Sequence, residues 1–419
     1  MEVVQPHDTA QVAELLVEAA RQGRRVRPLG SGHSFSAIGR PVDVGLDLRR
    51  LHRVTTVSLD PSGGGGRVRV GAGITLRALN TVLDTLGLAM PNLGDIDAQT
   101  LAGALATGTH GTGGRLFGIA SAVRALTLVT PDGSILDLQV GDELFEAARI
   151  NLGALGVVTE VEVECVPAFR LQAQEGPMPL DAVLADVDGF VASADHAEFF
   201  WFPHTRVAST RRNARVDADV GRPLPRWRAV AEDRLLDNGA YELVNRIGVA
   251  RSGWVPQLNR LSSALMSRRT YADASHRVFC SVRGVRFVET EYAVPREATR
   301  PVLEQLAAWF VSARAPVSFP VEVRFIAADD VWLSGAYGRD SAYIAVHQYW
   351  RGRYHESFRQ FERIVAAHSG RPHWGKMHSL DAERLERVHP RLADFTRVRD
   401  RLDPGRVMAN PHLDRILGP

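Results

Sequence analysis

The sequence predicts an α+β fold with two domains, and three observations lead to this prediction. Its 419 residues suffice for two domains that each have a core. Helical patterns mix with short strand-like runs, and internal repeats are absent. The pattern changes after Pro167, where aromatic and arginine-rich stretches replace glycine-rich loops. We therefore expect a first domain over residues 1–167, a second domain built on a sheet over 168–370, and a C-terminal segment over 371–419.

The elements of the first domain follow from periodicity and from capping residues. Asp8 precedes apolar residues at helical spacing, and a short acceptor side chain at that position caps a helix. A second helix is predicted from Leu76 to Leu86, ending near Gly87. Alternating or apolar runs bounded by turns predict strands at residues 23–29, 42–48, 67–70, 125–130 and 157–165.

The second domain shows further strands and helices by the same criteria. Strands are predicted at 198–202, 285–292, 320–325 and 342–347, and helices at 296–313 and 354–367. Residues 205–270 hold many arginines and few periodic runs, so we expect a peripheral segment there.

Composition argues against several classes of function. The formal net charge is +2, which gives no strong attraction for nucleic acid. Two cysteines, Cys165 and Cys280, are too few for a disulfide framework or a metal cluster. No apolar run approaches the ~20 residues of a membrane span, and the N-terminus lacks a signal-peptide pattern. We expect a cytoplasmic protein without a membrane span or a nucleic-acid partner.

Residues 30–34, Gly-Ser-Gly-His-Ser, form the first of three glycine-rich loops. Small residues let backbone N–H groups approach an anion such as a phosphate. Phe35 stands where the dinucleotide fingerprint of nicotinamide enzymes needs its third glycine, and no Walker lysine follows. His33 is unusual in such a loop, although a turn with a surface histidine fits this loop equally well.

Two further glycine-rich loops lie in the same predicted domain. Residues 100–114 include Ala-Thr-Gly-Thr-His-Gly-Thr-Gly, and residues 151–159 include Gly-Ala-Leu-Gly-Val-Val-Thr. Three loops that expose their backbone suit a long, extended cofactor with a pyrophosphate and two ring systems.

Two later strands carry polar residues on one face. Glu322 and Arg324 stand two residues apart, and so do His347 and Tyr349. A buried pair of charges is costly unless both are bonded, so the first pair is either a structural ion pair or part of a polar site. His347 by itself would more often be a core histidine.

Lys376 is the one lysine among the 50 lysines and arginines of the chain. Its ammonium is compact and its pKa can be moved, which a guanidinium does not offer. It stands in residues 370–378, Gly-Arg-Pro-His-Trp-Gly-Lys-Met-His, which predict a turn. His373 and His378 would suit a metal, but no thiolate or carboxylate stands at ligand spacing, so we expect no metal.

These motifs together, with His-Trp-Gly-Lys as the most specific, resemble the vanillyl-alcohol-oxidase-type FAD proteins. Among them the chain is similar to the aldonolactone oxidoreductases, which comprise gulonolactone oxidases and dehydrogenases, arabinonolactone oxidases and alditol oxidases. The resemblance runs over essentially the whole chain. It implies a PCMH-type FAD-binding domain, a substrate (cap) domain built on an antiparallel sheet, and a C-terminal segment that returns to the flavin.

The resemblance also implies an activity: hydride transfer to flavin N5 from a carbon that bears a hydroxyl. The expected substrate is an aldono-1,4-lactone such as L-gulono-1,4-lactone, and the alternative is an alditol such as xylitol or sorbitol. A flavoenzyme acting on a non-sugar alcohol or amine, and a non-catalytic nucleotide-binding protein, are the other hypotheses.

The resemblance assigns roles to individual residues. Glu322, Arg324, His347 and Lys376 are expected to be catalytic, with either His347 or Glu322 taking the proton. His33 is expected to bond covalently to the flavin. The residues expected to contact FAD are Gly30, Ser31, Gly32, His33, Ser34, Asp95, Thr100, Gly103, Ala104, Ala106, Thr107, His110, Gly111, Gly156 and Val158.

Gly94, Asp95 and Tyr349 are expected to border the substrate or the oxygen path. Alditol oxidases carry Ala-Ser at the first two positions and threonine at the third, so these departures favour a lactone. In the resembling family the residue at the Gly94 position gates the approach of O2, and glycine leaves that path open. We expect O2 as electron acceptor, although the charge of Asp95 counts against it and a cytochrome or a dye is the alternative.

Overall fold

The computed structural model describes residues 2–225, 239, 241–280 and 284–419. A small parallel sheet lies at the N-terminus and has the strand order first, third, second. Its strands are β1 (Glu2–Val4), β2 (Val26–Leu29) and β3 (Val44–Asp47).

A six-stranded antiparallel sheet completes the first half of the chain. Its strands are β4 (Val54–Leu59), β5 (Gly66–Gly71), β6 (Leu88–Ala89), β7 (Val123–Val129), β8 (Ile135–Gln139) and β9 (Val157–Pro167). The order is β4-β5-β9-β7-β8, and β6 pairs with β9. The strands that alternation predicted at 67–70, 125–130 and 157–165 are therefore confirmed.

An eight-stranded antiparallel sheet occupies the second half. Its strands are β10 (Arg170–Pro179), β11 (His196–Trp201), β12 (Val207–Val216), β13 (Arg269–Ala274), β14 (Phe287–Pro295), β15 (Val321–Ile326), β16 (Ser341–Tyr349) and β17 (Arg371–Pro372). Their order is β13-β10-β12-β11-β15-β16-β14-β17. This is the α+β architecture that the sequence predicted; the domain boundaries at 167 and 370 stay predictions.

The prediction of a peripheral segment over 205–270 is wrong for its first part. β12 lies between β10 and β11 and is hydrogen-bonded to both strands. Its arginines therefore belong to an interior strand of the sheet and not to a peripheral segment. Residues 226–238 and 240 of the same stretch lie outside the described residues.

Helices cover the sheets and connect their strands. Those of the described residues are α1 (Thr9–Arg21), α2 (Leu76–Thr85), α3 (Leu101–Ala106), α4 (Glu143–Ala148), α5 (Leu180–Ala185), α6 (Val187–Ala192), α7 (Tyr241–Ala250), α8 (Val255–Ala264), α9 (Ser275–Phe279), α10 (Thr299–Ser312), α11 (His355–Ala366), α12 (Ala382–Val388), α13 (Leu392–Leu402) and α14 (Pro411–Leu417). Asp8 caps α1 by accepting a hydrogen bond of 2.8 Å from the backbone N–H of Gln11. Within the ranges that the structure describes, no helix combines the length and apolar character needed to cross a bilayer.

The two faces of β15 explain how the sheet separates a core from a polar site. Val321, Val323 and Phe325 are buried in the core that α10 and α11 share with the sheet. Glu322 and Arg324 alternate with them and point to the opposite face. This charged face carries the candidate site.

Arg27 ties three segments of the first half together. Its guanidinium is buried and donates hydrogen bonds of 2.6–2.8 Å to the carbonyl oxygens of Ile38, Leu152, Gly153 and Met408. Burial lowers the pKa of Arg27 to about 9. One cation thus fixes the first glycine-rich loop, the third glycine-rich loop and the C-terminal segment relative to one another.

We expect Arg27→Met to destabilise the protein by at least ~2 kcal/mol, because the buried carbonyls of Leu152, Gly153 and Met408 lose this donor and each unsatisfied group costs about 1–3 kcal/mol. The Ile38 carbonyl keeps a hydrogen bond from Asn410 Nδ2. Chemical denaturation followed by fluorescence measures this. Arg24→Met is the matched control, since Arg24 forms a half-exposed ion pair with Glu2, for which about 0–1 kcal/mol is typical. Equal denaturation midpoints for the two variants would contradict the role of Arg27.

Candidate active site

The first and second glycine-rich loops approach each other so closely that side chains are excluded. A Cβ atom added to Gly30 would lie 2.8 Å from Thr100 Oγ1, and one added to Gly103 would lie 3.0 Å from the same atom. Thr100 also caps α3 through a hydrogen bond from the Gly103 N–H. In the third loop, Gly156 has a φ of +141°, and an added Cβ would lie 2.2 Å from the Val129 carbonyl oxygen.

The three loops line one cavity of about 280 Å³. Eleven of the residues expected to contact FAD border it: Gly30, Ser31, Gly32, His33, Ser34, Thr100, Gly103, Ala106, Thr107, Gly156 and Val158. Backbone N–H groups and hydroxyls of the loops, with Arg40 also among the lining residues, form a donor set that suits a pyrophosphate. The residues that line the cavity, and the close contacts of its glycines, therefore fit the extended cofactor that the motifs imply.

The remaining expected cofactor residues lie outside this cavity. Ala104 is fully buried in the core, and Gly111 packs against Leu93, whose carbonyl oxygen would lie 2.2 Å from an added Cβ. Asp95 and His110 instead face the eight-stranded sheet, where they contact Arg324 and Glu291.

The loop that carries His33 packs against the turn that carries Lys376. The backbone N–H of Phe35 donates to the Gly375 carbonyl at 2.7 Å, and Ser36 Oγ donates to the Trp374 carbonyl at 3.0 Å. Lys376 Nζ lies 5.2 Å from the centre of the Phe35 ring. Burial and the nearby Lys376 charge lower the pKa of His33, which favours the neutral imidazole.

Arg324 lies at the centre of a cluster of carboxylates. Its Nη2 is 2.5 Å from Glu322 Oε1 and 3.4 Å from Asp95 Oδ1, and its Nε donates to Glu198 Oε2 at 2.9 Å. Burial acts to lower the pKa of Arg324, but these carboxylates raise it well above its usual value. Its cation is therefore permanent.

Glu289 connects the other two predicted catalytic residues. Lys376 Nζ donates to Glu289 Oε2 at 2.5 Å, and His347 Nε2 lies 3.5 Å from Glu289 Oε1 and 3.6 Å from Glu322 Oε2. Glu322, Arg324, His347 and Lys376 thus belong to one connected set of contacts. Sequence reasoning missed Glu289, although the alternation of β14 places it on the charged face.

The contacts of His347 define its tautomer. Nδ1 lies 3.3 Å from the Pro320 carbonyl oxygen, which only accepts hydrogen bonds, so Nδ1 carries the proton. In the neutral ring the lone pair is then on Nε2, between the carboxylates of Glu289 and Glu322.

A row of alternating charges continues from Arg324 across the sheet. Glu198 lies opposite Arg324 on one neighbouring strand and opposite Arg211 on the other. Glu175 in turn lies opposite Arg211 and Arg269. The ion-pair distances are 3.6 Å for Arg211–Glu198, 3.2 Å for Arg211–Glu175 and 2.6 Å for Arg269–Glu175. Direct cross-strand pairing of opposite charges stabilises a sheet.

His110, Glu291 and His373 form a buried group whose potential ligand atoms lie within 4.8 Å of one another. His110 Nε2 is 3.4 Å from Glu291 Oε1, and the His110 ring packs against the Tyr343 ring with their centres 3.7 Å apart. Burial lowers the pKa of His373 to about 4, and its Nδ1 accepts a hydrogen bond from the Gly375 N–H. The proton of this neutral imidazole is then on Nε2.

Gly94 and Tyr349 differ in their position relative to the charged cluster around Arg324. A Cβ added to Gly94 would lie 3.0 Å from the His110 carbonyl oxygen, so this position abuts the second glycine-rich loop. The Tyr349 hydroxyl donates to Glu242 Oε1 at 2.6 Å, and its ring packs with Phe319. The structure therefore does not bring the Tyr349 hydroxyl to the charged cluster.

Known families match both halves of the chain. A family model described as FAD binding domain matches residues 2–139, and one described as D-arabinono-1,4-lactone oxidase matches residues 161–416. The chain is 42% identical over 417 residues to an L-gulono-1,4-lactone dehydrogenase of Mycobacterium tuberculosis, covering 100% of this chain and 96% of that protein. It is 33% identical over 425 residues to an L-gulonolactone oxidase of Scyliorhinus torazame, covering 98% and 94%.

Among solved structures, a cholesterol oxidase from B. sterolicum superposes with a TM-score of 0.84 at 20% identity, covering 100% of this chain and 94% of that one. This likeness concerns the fold alone. The FAD-binding match covers the first two glycine-rich loops of the cavity, and the lactone-oxidase match covers Glu322, Arg324, His347 and Lys376. The chain belongs to the D-arabinono-1,4-lactone oxidase family, and it is an FAD-dependent oxidoreductase that acts on CH–OH donors.

Proposed function

We propose that the protein oxidises a secondary or primary hydroxyl of an aldono-1,4-lactone, with L-gulono-1,4-lactone as the representative substrate. The observation that carries the proposal is the connected set of Glu322, Arg324, His347 and Lys376 beside the His33 loop. Both relatives described above are named for gulonolactone.

The chemistry that bound FAD supplies is the acceptance of a hydride from a carbon that bears a hydroxyl. Arg324 donates hydrogen bonds to substrate oxygens, and Glu322 accepts them from substrate hydroxyls. His347 Nε2, which lies 3.5 Å from Glu289 Oε1 and 3.6 Å from Glu322 Oε2, takes the hydroxyl proton. The ammonium of Lys376 stabilises negative charge that develops during the reaction.

The first test is anaerobic reduction of the bound flavin, followed by stopped-flow absorbance, with aldono-1,4-lactones, alditols and aldoses. We expect L-gulono-1,4-lactone to reduce it fastest. Lys376→Met is expected to slow reduction by ~10²-fold or more, the usual scale for loss of a charge stabiliser. Arg387→Met serves as the control, since Arg387 is an exposed cation on α12.

If an alditol such as xylitol or sorbitol reduces the flavin faster, the substrate is an open-chain alditol and not a lactone. Failure of all three classes would contradict the proposed function. A Lys376→Met variant that is folded and within a few-fold of the wild-type rate would remove Lys376 from the mechanism.

We also propose that His33 bonds covalently to FAD. The lowered pKa of His33 and its place among the residues that line the cavity support the proposal. Acid-precipitated wild-type protein should show flavin fluorescence on a denaturing gel, His33→Ala should lose it, and the exposed-histidine control His52→Ala should keep it. A wild-type band without fluorescence rules out the bond.

For the electron acceptor we propose O2, with Gly94 leaving the approach open. Gly94→Ala is expected to slow re-oxidation, because the added methyl group, 3.0 Å from the His110 carbonyl oxygen, narrows the space between Gly94 and the second glycine-rich loop. Stopped-flow re-oxidation in air, with formation of hydrogen peroxide, measures this. Gly253→Ala is the control, since an added Cβ there meets nothing within 4 Å. Reduced wild-type flavin that persists in air, yet is rapidly re-oxidised by cytochrome c or a dye, would show a dehydrogenase.

A further inference from the structure

Glu289 holds the lysine turn by both its backbone and its side chain. Its carbonyl oxygen accepts a hydrogen bond of 3.0 Å from the Met377 N–H, and its carboxylate accepts one of 2.5 Å from Lys376 Nζ. Two residues further along β14, the Glu291 carbonyl accepts the His373 N–H at 3.0 Å. The ammonium and the turn that carries it are thus fixed to the same strand.

The other oxygen of the same carboxylate faces the proposed proton acceptor. Glu289 is the direct register partner of His347 across β14 and β16, and Oε1 lies 3.5 Å from His347 Nε2. The Glu289 side chain is 6% exposed, so that water screens these interactions little. One buried carboxylate therefore joins the fixed cation to the imidazole.

We propose that Glu289 is a positioning residue that keeps the Lys376 ammonium charged and in place, and that links it to His347 through one carboxylate. The inference rests on the proposed function for the roles of Lys376 and His347. Glu289 itself is assigned no contact with substrate or cofactor.

The charges around Lys376 determine what loss of Glu289 does. Glu289 and Glu291 face it from β14, Glu322 from β15, and His33 from the first glycine-rich loop; His373 lies in its own turn. Burial acts to lower the pKa of Lys376, but the three carboxylates raise it above its usual value. Glu289 is the carboxylate in direct contact, so its removal should lower the pKa of Lys376 most.

Because Lys376 is the single lysine, lysine labelled with carbon-13 at Cε gives one protein signal that reports its protonation. The experiment titrates this signal by NMR in the flavin-loaded protein, for the wild type, Glu289→Gln, Glu289→Asp and Glu356→Gln. Glu356 is an exposed residue of α11 and is the carboxylate-to-amide control. No substrate is needed, so the result does not depend on the proposed function.

We expect Glu289→Gln to lower the pKa of Lys376 by about one to three pH units, the usual effect of a lost opposite charge. Glu289→Asp, which keeps the charge, should retain part of the shift, and Glu356→Gln should match the wild type. The alkaline limb of flavin reduction by lactone should move to lower pH in Glu289→Gln in parallel with the NMR titration.

An unchanged Lys376 titration in folded Glu289→Gln would overturn the proposal, and so would a shifted titration with an unmoved alkaline limb. If the wild-type flavin is not reduced by any lactone, the proposed function fails, whereas the NMR titration still decides whether Glu289 controls the charge of Lys376.

Discussion

Opposite charges buried against one another on a single sheet face are the constraint on which the rest of the structure depends. Glu198, Glu289 and Glu322 are all buried, and an isolated buried carboxylate would be prohibitively costly. Each of them is therefore matched to Arg324, Arg211 or Lys376 at ion-pair distance. The antiparallel register supplies these matches, so a slip of one residue would move every charge into the apolar core.

This arrangement also explains why the site is rigid before any substrate enters. Arg324 is held by three carboxylates from three different segments, and Lys376 is held by a carboxylate on the strand to which its own turn is bonded. Groups that are fixed in advance do not have to reorganise when charge develops, which is the main source of electrostatic stabilisation in enzymes. The ion pairs thus serve orientation more than stability.

The cofactor cavity and the charged cluster meet because separate segments are bonded to each other at their backbones. Arg27 joins the first and third glycine-rich loops to the C-terminal segment, and the Gly113 N–H of the second loop donates to the Phe325 carbonyl at the end of β15. The turn at Gly375 accepts the Phe35 N–H. The loops that line the cavity and the turn that carries Lys376 are therefore parts of one hydrogen-bonded framework.

The sequence by itself determined the α+β class, the strands and helices with strong periodicity, and the three glycine-rich loops. These depend on local properties, such as the cap at Asp8 and the absence of side chains at Gly30 and Gly103. Face alternation singled out Glu322 and Arg324 as a polar pair, and the rarity of lysine singled out Lys376. The family resemblance, and not periodicity, predicted catalytic roles for these residues and for His347, and those roles stay predictions.

Only the tertiary structure decided which of these residues are in contact and which other side chains connect them. Glu289 and Glu198 join the cluster by register between strands far apart in sequence, and alternation within one strand does not contain that register. The same holds for β12, whose arginines read as a peripheral stretch but pair with Glu175 and Glu198. Tyr349, on the same face as His347 by alternation, turns its hydroxyl to Glu242 of α7, because long-range packing, and not strand periodicity, sets where a side chain ends.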